Sequence, residues 1–414
     1  MEILHGNAIV GQSGGPTAAI NATLAGVISG AMKSEAIDKV YGMKNGIDGL
    51  LAENIICLNG YFEDEKAYET LKRTPAAALG SCRRKLPVES DHAYKATFEK
   101  IIEIFKKYDI RYFFYIGGND SMDTVAKLSK YTKDVDYEVR VIGVPKTIDN
   151  DLLGTDHTPG FGSAAKYISV TMQEILRDTA VYTVKAVTVV EIMGRDAGWL
   201  TASSELGRLV GLPSPDLVYL PERDFNMDEF FEDLKKVMQE KPNVVVAVSE
   251  GLRFADGRYV GEGTQGGAVD AFGHKYLAGT GKALELAIKD KLGCKVRSIE
   301  LNLPQRCASH IASLCDIEES FGVGEAAPRA AEQGVSREMM VILRDSEEKR
   351  EPYSSVYGHM DIDLIANKTK YVPKHFINDR GNHVTDECLR YILPLISGEC
   401  YPEYENGLPV FFSF

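Results

Sequence analysis

Tyr112-Phe113-Phe114-Tyr115-Ile116-Gly117-Gly118-Asn119-Asp120-Ser121 is an aromatic, β-branched run of strand length that breaks into paired glycines followed by charge. A second run, Val139 to Val144, breaks in the same way into Pro145-Lys146-Thr147-Ile148-Asp149-Asn150-Asp151, and the spacing of apolar residues from Ser121 to Tyr131 between them predicts a helix. A strand, helix, strand unit of this kind brings both loops to one edge of a parallel sheet, where open α/β folds bind ligands.

The same design recurs along the chain. Asn7 to Val10 runs into Gly11-Gln12-Ser13-Gly14-Gly15-Pro16-Thr17, and Ala186 to Ile192 into Met193-Gly194-Arg195-Asp196. Asn243 to Val248 ends in Ser249-Glu250-Gly251, and Val296 to Leu301 leads into Leu303-Pro304-Gln305-Arg306. Helical spacing over Ala18–Lys33, Tyr94–Tyr108, Ser163–Arg177, Met227–Glu240 and Lys282–Lys291 separates these strands, which predicts parallel sheets with helices on both faces. Glu262 to Gly281 is glycine-rich and reads as a mobile loop leading into a helix. From Tyr353 to Phe414 no motif is legible, and burial against a second domain is the expectation for its aromatic end.

At 414 residues and 44% hydrophobic content the chain can form two or three domains of about 100–200 residues. Its net charge of -13 argues against a nucleic-acid or anionic-membrane surface. Seven cysteines without a CxxC pair fit reduced thiols, and the beginning of the sequence lacks a basic segment leading into an apolar run, so the expected location is cytoplasmic.

Glycines at strand-to-helix turns let backbone amides approach a phosphate, with the positive end of the next helix behind them. Gly14-Gly15 and Gly117-Gly118 both meet that description. The dinucleotide fingerprint does not fit, because Ser13 and Pro16 stand where glycines belong; Gly279-Thr280-Gly281-Lys282 imitates a P-loop but has Tyr276 and Ala283 at two required positions. In Thr147-Ile148-Asp149-Asn150-Asp151, one carboxylate can act as general base on a hydroxyl while the other positions metal or water.

Taken in order, the GGNDS loop, the PKTIDND loop, Met193-Gly194-Arg195, Ser249-Glu250-Gly251 and Pro304-Gln305-Arg306 resemble the phosphofructokinase family over roughly Ala8 to Arg306. The resemblance implies two Rossmann-like, three-layer α/β domains with mostly parallel sheets and an active site in the cleft between them. The division it implies is residues 1–160 plus about 305–375 for the phosphoryl donor, and 161–304 plus about 376–414 for the sugar phosphate. Carried over by position, Gly14, Gly15, Gly118, Asn119 and Lys146 are expected on the donor, and Asp149 is the expected base for the sugar 1-hydroxyl. Thr147, Ile148, Met193, Gly194, Arg195, Glu250 and Leu303 are expected around the sugar phosphate, with Arg297 and Arg306 on its 6-phosphate and Arg83 bridging donor and acceptor. Homodimer or homotetramer assembly and dependence on Mg2+ are also implied.

Family members that use ATP have glycine where this chain has Asp120 and Lys146, whereas users of inorganic pyrophosphate resemble it at both. A carboxylate at position 120 adds bulk and negative charge where an α-phosphate of ATP would lie, and Lys146 supplies a cation to the smaller donor; an Asp120–Lys146 ion pair is a further expectation. The expected reaction is transfer from pyrophosphate to fructose 6-phosphate, the alternatives being ATP as donor or sedoheptulose 7-phosphate as acceptor. Three positions depart from the family: Asn119 replaces an aspartate that helps hold magnesium, Leu303 a histidine or tyrosine that contacts the sugar, and Ala186 an arginine reaching from a neighbouring subunit, for which Lys185 is the nearest substitute.

Overall fold

The computed structural model describes residues 3–135, 137–262, 279–345 and 353–414. Strands β1 (Gly6–Gln12), β2 (Ile37–Met43), β3 (Ile55–Cys57), β4 (Ile110–Gly117) and β5 (Arg140–Pro145) open one sheet, and β6 (Ala186–Ile192), β7 (Leu217–Tyr219), β8 (Asn243–Ser249) and β9 (Lys295–Glu300) build another. After the short β10 (Ala312–Ser313), β11 (Glu338–Arg344) and β12 (Ser355–Asp361) return to the first sheet, whose order is β12-β11-β5-β4-β1-β2-β3. Its centre is parallel, and β3 and β12 run antiparallel at the two edges. The second sheet, β7-β8-β6-β9, is parallel throughout.

A parallel sheet needs cover on both faces, and the alternation of side chains along a strand supplies both contacts. Tyr112, Phe114 and Ile116 of β4 face the core beneath the helices Ile20–Met32 and Leu314–Glu332. Phe113 and Tyr115 face the opposite core, beneath Tyr94–Lys107 and Asn119–Asp134. All five are fully buried, each contributing about 1.5–3 kcal/mol of hydrophobic stabilisation, which fixes the strand whose end carries the GGNDS loop.

The C-terminal region departs from the expectation of burial on a single domain. β12 forms an edge of the larger sheet, while Val372, Phe376, Leu389 and Leu395 pack into the core of the smaller one. The terminal aromatics return to the larger unit, where Phe412 stacks on Phe62 at 5.4 Å, so assignment of the chain end to the sugar side is corrected. The helix expected at Lys282–Lys291 forms as Thr280–Leu292, whereas most of the glycine-rich stretch before it lies outside the described residues. All seven cysteines are free thiols. No helix among the described residues is long and apolar enough to cross a membrane.

Helices Ile20–Met32 and Leu314–Glu332 approach so closely that a Cβ on Gly26 would lie 2.0 Å from the Phe321 carbonyl oxygen. Alanine gains up to ~1 kcal/mol of helix stability over glycine, but overpacking against an unyielding backbone costs about 1–3 kcal/mol. Gly26→Ala is therefore expected to lower the thermal unfolding midpoint; a midpoint at or above wild type would show that the two helices can separate without cost.

Candidate active site

The turns at the carboxyl ends of β1, β4, β5, β6 and β8 converge with Asn302–Arg306 on a cleft of about 880 Å³ between the two sheets. On the β1 side, Gly14 adopts φ +77, and a Cβ there would sit 3.3 Å from the Lys146 ammonium; one on Gly15 would sit 3.2 Å from an Arg306 nitrogen. Side chains at these positions would fill the space between loop and cations, so glycine keeps that wall open to a ligand. Ser121 Oγ and Ser13 Oγ lie 2.9 Å apart and tie the two glycine loops together. The helix Asn119–Asp134 begins at the cleft, with Gly118, Asn119 and Asp120 among its lining residues.

Asp120 does not pair with Lys146. Its carboxylate lies 3.2 Å from Lys85 Nζ, and Lys146 instead donates to the Gly15 carbonyl at 2.6 Å. Lys146 is 3% exposed, and burial lowers its pKa to about 8 although Asp149 opposes the shift. Burial also raises the pKa of Asp149, against the pull of Arg195 and Lys146. Asp151 is pushed up to about 7 by burial and by the neighbouring charge of Asp149. Two neighbouring, partly buried carboxylates with raised pKa values beside a buried ammonium are groups suited to taking up a proton.

The smaller sheet supplies the opposite wall. Met193 N–H donates to Gln305 Oε1 at 3.1 Å, and Gly194 N–H reaches Glu250 Oε1 at 3.5 Å. Glu250 is held up at about 8 by burial, with Asp149 and Glu191 adding negative charge nearby. Arg306 has its pKa lowered by burial and by Arg83, which places two guanidinium groups in mutual repulsion. Among the described residues, Arg195 Nε, Arg306 Nε and Asn119 Oδ1 are buried without a hydrogen-bond partner. Buried polar atoms are ordinarily satisfied, so unpaired donors beside crowded cations describe a surface that completes itself with an anion.

Of the residues expected from sequence, Gly14, Gly15, Arg83, Gly118, Asn119 and Asp120 line the cleft on its donor side. Lys146, Thr147, Ile148 and Asp149 form its floor, and Met193, Arg195, Glu250, Leu303 and Arg306 its far wall. Gly194 lies just behind that wall. Arg297 is not brought there: it is exposed on β9, an edge strand of the smaller sheet. Sequence reasoning missed Lys85, Asn367 and Thr369, which also line the cleft. The basic run Arg83-Arg84-Lys85 could have signalled the first; nothing local signals the other two.

Residues 7–317 match the phosphofructokinase family. The chain belongs to this family. It is 41% identical to the pyrophosphate–fructose 6-phosphate 1-phosphotransferase of Halomonas elongata, over 97% of this chain and 94% of the relative. Identity to the enzyme of the same name from Methylococcus capsulatus is 39%, over 97% and 94% of the two chains. Among solved structures, the pyrophosphate-dependent phosphofructokinase of Nitrosospira multiformis superposes with a TM-score of 0.87 at 37% identity, over 98% of this chain and 95% of that one.

Beyond the Thr147–Asp151 loop, His157 is buried between Asp156 and Glu319, its ring nitrogens 2.9 and 2.6 Å from their carboxylates. An imidazole satisfies both acceptors only as the cation. Burial disfavours that cation, but the hydrogen bonds and charges of Asp156 and Glu319 prevail and hold its pKa near 9. A raised pKa stabilises the fold fully below the unfolded value of about 6.5, and the contribution is lost as pH rises through about 9. The stability difference between wild type and His157→Gln should therefore shrink by most of about 3 kcal/mol between about pH 6 and pH 10, measured by urea unfolding. A difference that stays flat with pH would refute the buried imidazolium.

Proposed function

We propose that the protein transfers a phosphoryl group from inorganic pyrophosphate to the 1-hydroxyl of fructose 6-phosphate, releasing fructose 1,6-bisphosphate and phosphate. The observation that carries the proposal is the partly buried Asp149 carboxylate, near Lys146 and Arg195 and facing a cleft in which Arg195 and Arg306 hold buried Nε–H groups without a hydrogen-bond partner. Asp149 takes the proton as the sugar oxygen bonds to phosphorus, the P–O–P bridge breaks, and the bridging oxygen leaves with the released phosphate. Lys146 and Arg83 offset charge on the donor, and Arg195 and Arg306 hold the acceptor; cations fixed in place by the fold do this without reorganising. Gly14, Gly15 and Gly118 leave the donor in contact with backbone. Thr147, Ile148, Met193, Gly194 and Glu250 shape the sugar site.

The donor set fits magnesium. Asn119 Oδ1 is a buried oxygen without a partner, and Asp151 is a half-buried carboxylate raised by desolvation and by the neighbouring charge of Asp149, a repulsion that a divalent cation relieves. No cluster of three or more acidic, histidine or cysteine ligands occurs among the described residues. Mg2+ bound with pyrophosphate would be held by one or two protein oxygens together with phosphates and water. When bound, Mg2+ supplies positive charge to the transferring phosphoryl group.

Pyrophosphate is favoured over ATP by the crowding at Asp120. Two unit charges ~4 Å apart repel by about 4 kcal/mol at an effective dielectric of 20, on the order of a thousandfold in affinity. Pairing with Lys85 offsets part of that repulsion, so discrimination falls more heavily on the volume of the Asp120–Lys85 pair and on Lys146. The names of the relatives at 41% and 39% identity support the same donor. For the acceptor, Leu303 is apolar and 54% exposed at the cleft, which favours sedoheptulose 7-phosphate as a second substrate, since no hydrogen bond there tests for a sugar hydroxyl. Arg297, on an exposed strand edge, serves on this reading the 6-phosphate of another copy in a homodimer or homotetramer.

Purified protein supplied with fructose 6-phosphate and Mg2+ should turn over faster with pyrophosphate than with ATP at matched millimolar concentration; the reverse preference overturns the donor. Asp149→Ala should lower kcat by ~10²–10⁴, the usual contribution of a positioned base, and an unimpaired variant would remove Asp149 from that role. Exchanging both Asp120 and Lys146 for glycine should move the preference towards ATP. If the pyrophosphate-to-ATP ratio does not move, donor choice resides elsewhere in the cleft.

A further inference from the structure

Asp149 and Asp151 line the cleft, but Asn150 between them does not. Asn150 is fully buried with φ +52, a left-handed conformation that residues other than glycine adopt at a cost unless their surroundings hold them there. Its side-chain amide donates to the Tyr391 hydroxyl at 3.0 Å, and its Oδ1 lies 3.4 Å from Lys370 Nζ. The same ammonium donates to the carbonyls of Thr155, at 3.3 Å, and Asp156, and Tyr391 donates to the Asp156 carbonyl at 2.5 Å. Both side chains thus grip the two ends of one loop.

Lys370 is itself clamped. Its N–H donates to the Asp151 carbonyl at 2.8 Å, and its own carbonyl accepts from Trp199 Nε1 at 3.1 Å. Two residues earlier, the Lys368 carbonyl accepts from Asn119 Nδ2 at 2.8 Å; two residues later, Val372 N–H donates to Glu222 at 2.9 Å. Residues 368–372 therefore bridge the amino end of the helix at Asn119, the catalytic loop and the smaller sheet's unit. None of these residues takes part in the chemistry described above, and none belongs to a motif read from the sequence.

We propose that Lys370 and Tyr391 are positioning residues that lock Asn150 in its left-handed conformation and so aim Asp149 and Asp151 into the cleft. Burial lowers the Lys370 pKa to about 8 while Asp156 and Asp151 oppose it, which agrees with an ammonium held inside the protein by acceptors. The effect on turnover rests on the phosphotransferase reading; the effect on the loop does not. Misplacing a catalytic group by ~1 Å can cost ~10²-fold in rate, so orientation is where loss of this grip is felt.

Three variants of the full chain test it: Tyr391→Phe, which deletes one hydroxyl, Lys370→Met, and Lys370→Arg, which keeps a cationic donor. The first two should lower kcat by about 10–100-fold with KM for pyrophosphate and fructose 6-phosphate within about threefold, and Lys370→Arg should recover much of the loss. In the same two variants, backbone amides of residues 147–156 should exchange hydrogen faster than in wild type. Unchanged exchange, or a kcat that does not fall when exchange accelerates, overturns the proposal, as does a rise in KM matching the whole loss. If Lys370→Met does not fold, Tyr391→Phe decides alone. A wild-type protein inactive with pyrophosphate and every sugar phosphate removes the functional reading, and the exchange data then decide the positioning by themselves.

Discussion

The cleft depends on holding carboxylates and several cations together where water reaches them only in part. Desolvation disfavours each ion alone: it raises Asp149, Asp151 and Glu250 and lowers Lys146. A buried charge persists only with partners, and in the low dielectric of the cleft those partners act strongly. Arg306 and Arg83 repel each other, and buried N–H groups of Arg195 and Arg306 lack acceptors. An anionic ligand relieves both conditions at once. Binding energy is thereby concentrated at the point where phosphoryl oxygens sit.

Holding that arrangement is the work of two parallel sheets that deliver their carboxyl ends to one space. The side chains that bury β4 on both faces have no part in the chemistry, yet they fix where Gly117 ends and the helix at Asn119 begins. Close contact of the helices Ile20–Met32 and Leu314–Glu332 locks the layer behind β1, whose loop carries Gly14 and Gly15. Two of the turns at strand ends carry left-handed backbone beside ligand-facing groups, at Gly14 and Asn150. Rigid strands with strained turns at their ends let small loops hold geometry that a longer loop would lose to conformational entropy.

Much of this was legible in the sequence because the relevant signals are local. Strand patterning, the glycine pairs and the Thr147–Asp151 carboxylates lie within a few residues of one another, and the backbone alone brings them to a sheet edge. Features that depend on where a long side chain reaches were not legible. The family resemblance at positions 120 and 146 suggested that Asp120 meets Lys146, but Lys146 turns to the Gly15 carbonyl and Lys85 fills its place. Arg297 falls in register on β9 beside Thr188, yet an edge strand leaves it outside its own chain's cleft. Asn367, Thr369 and Lys370 arrive from a stretch with no periodicity, and Phe412 crosses back to Phe62 for reasons of apolar contact that no motif encodes.

The exchange of partners at Asp120 changes how a small donor is recognised. An isolated carboxylate would reject nucleotides mainly through charge, a term that salt screens when the groups are partly exposed. Asp120 and Lys85 are both partly exposed, so their pair is nearly neutral at a distance and its long-range field is weak. On the proposed reading what remains is volume: two linked side chains where a longer polyphosphate would have to fit. Volume is not screened by salt. Lys146, buried and bonded to the Gly15 carbonyl, lies deeper and keeps its full field in the low-dielectric floor. On the proposed reading, rejection of larger donors and attraction of phosphate fall to different lysines, Lys85 and Lys146, so either can change without abolishing the other.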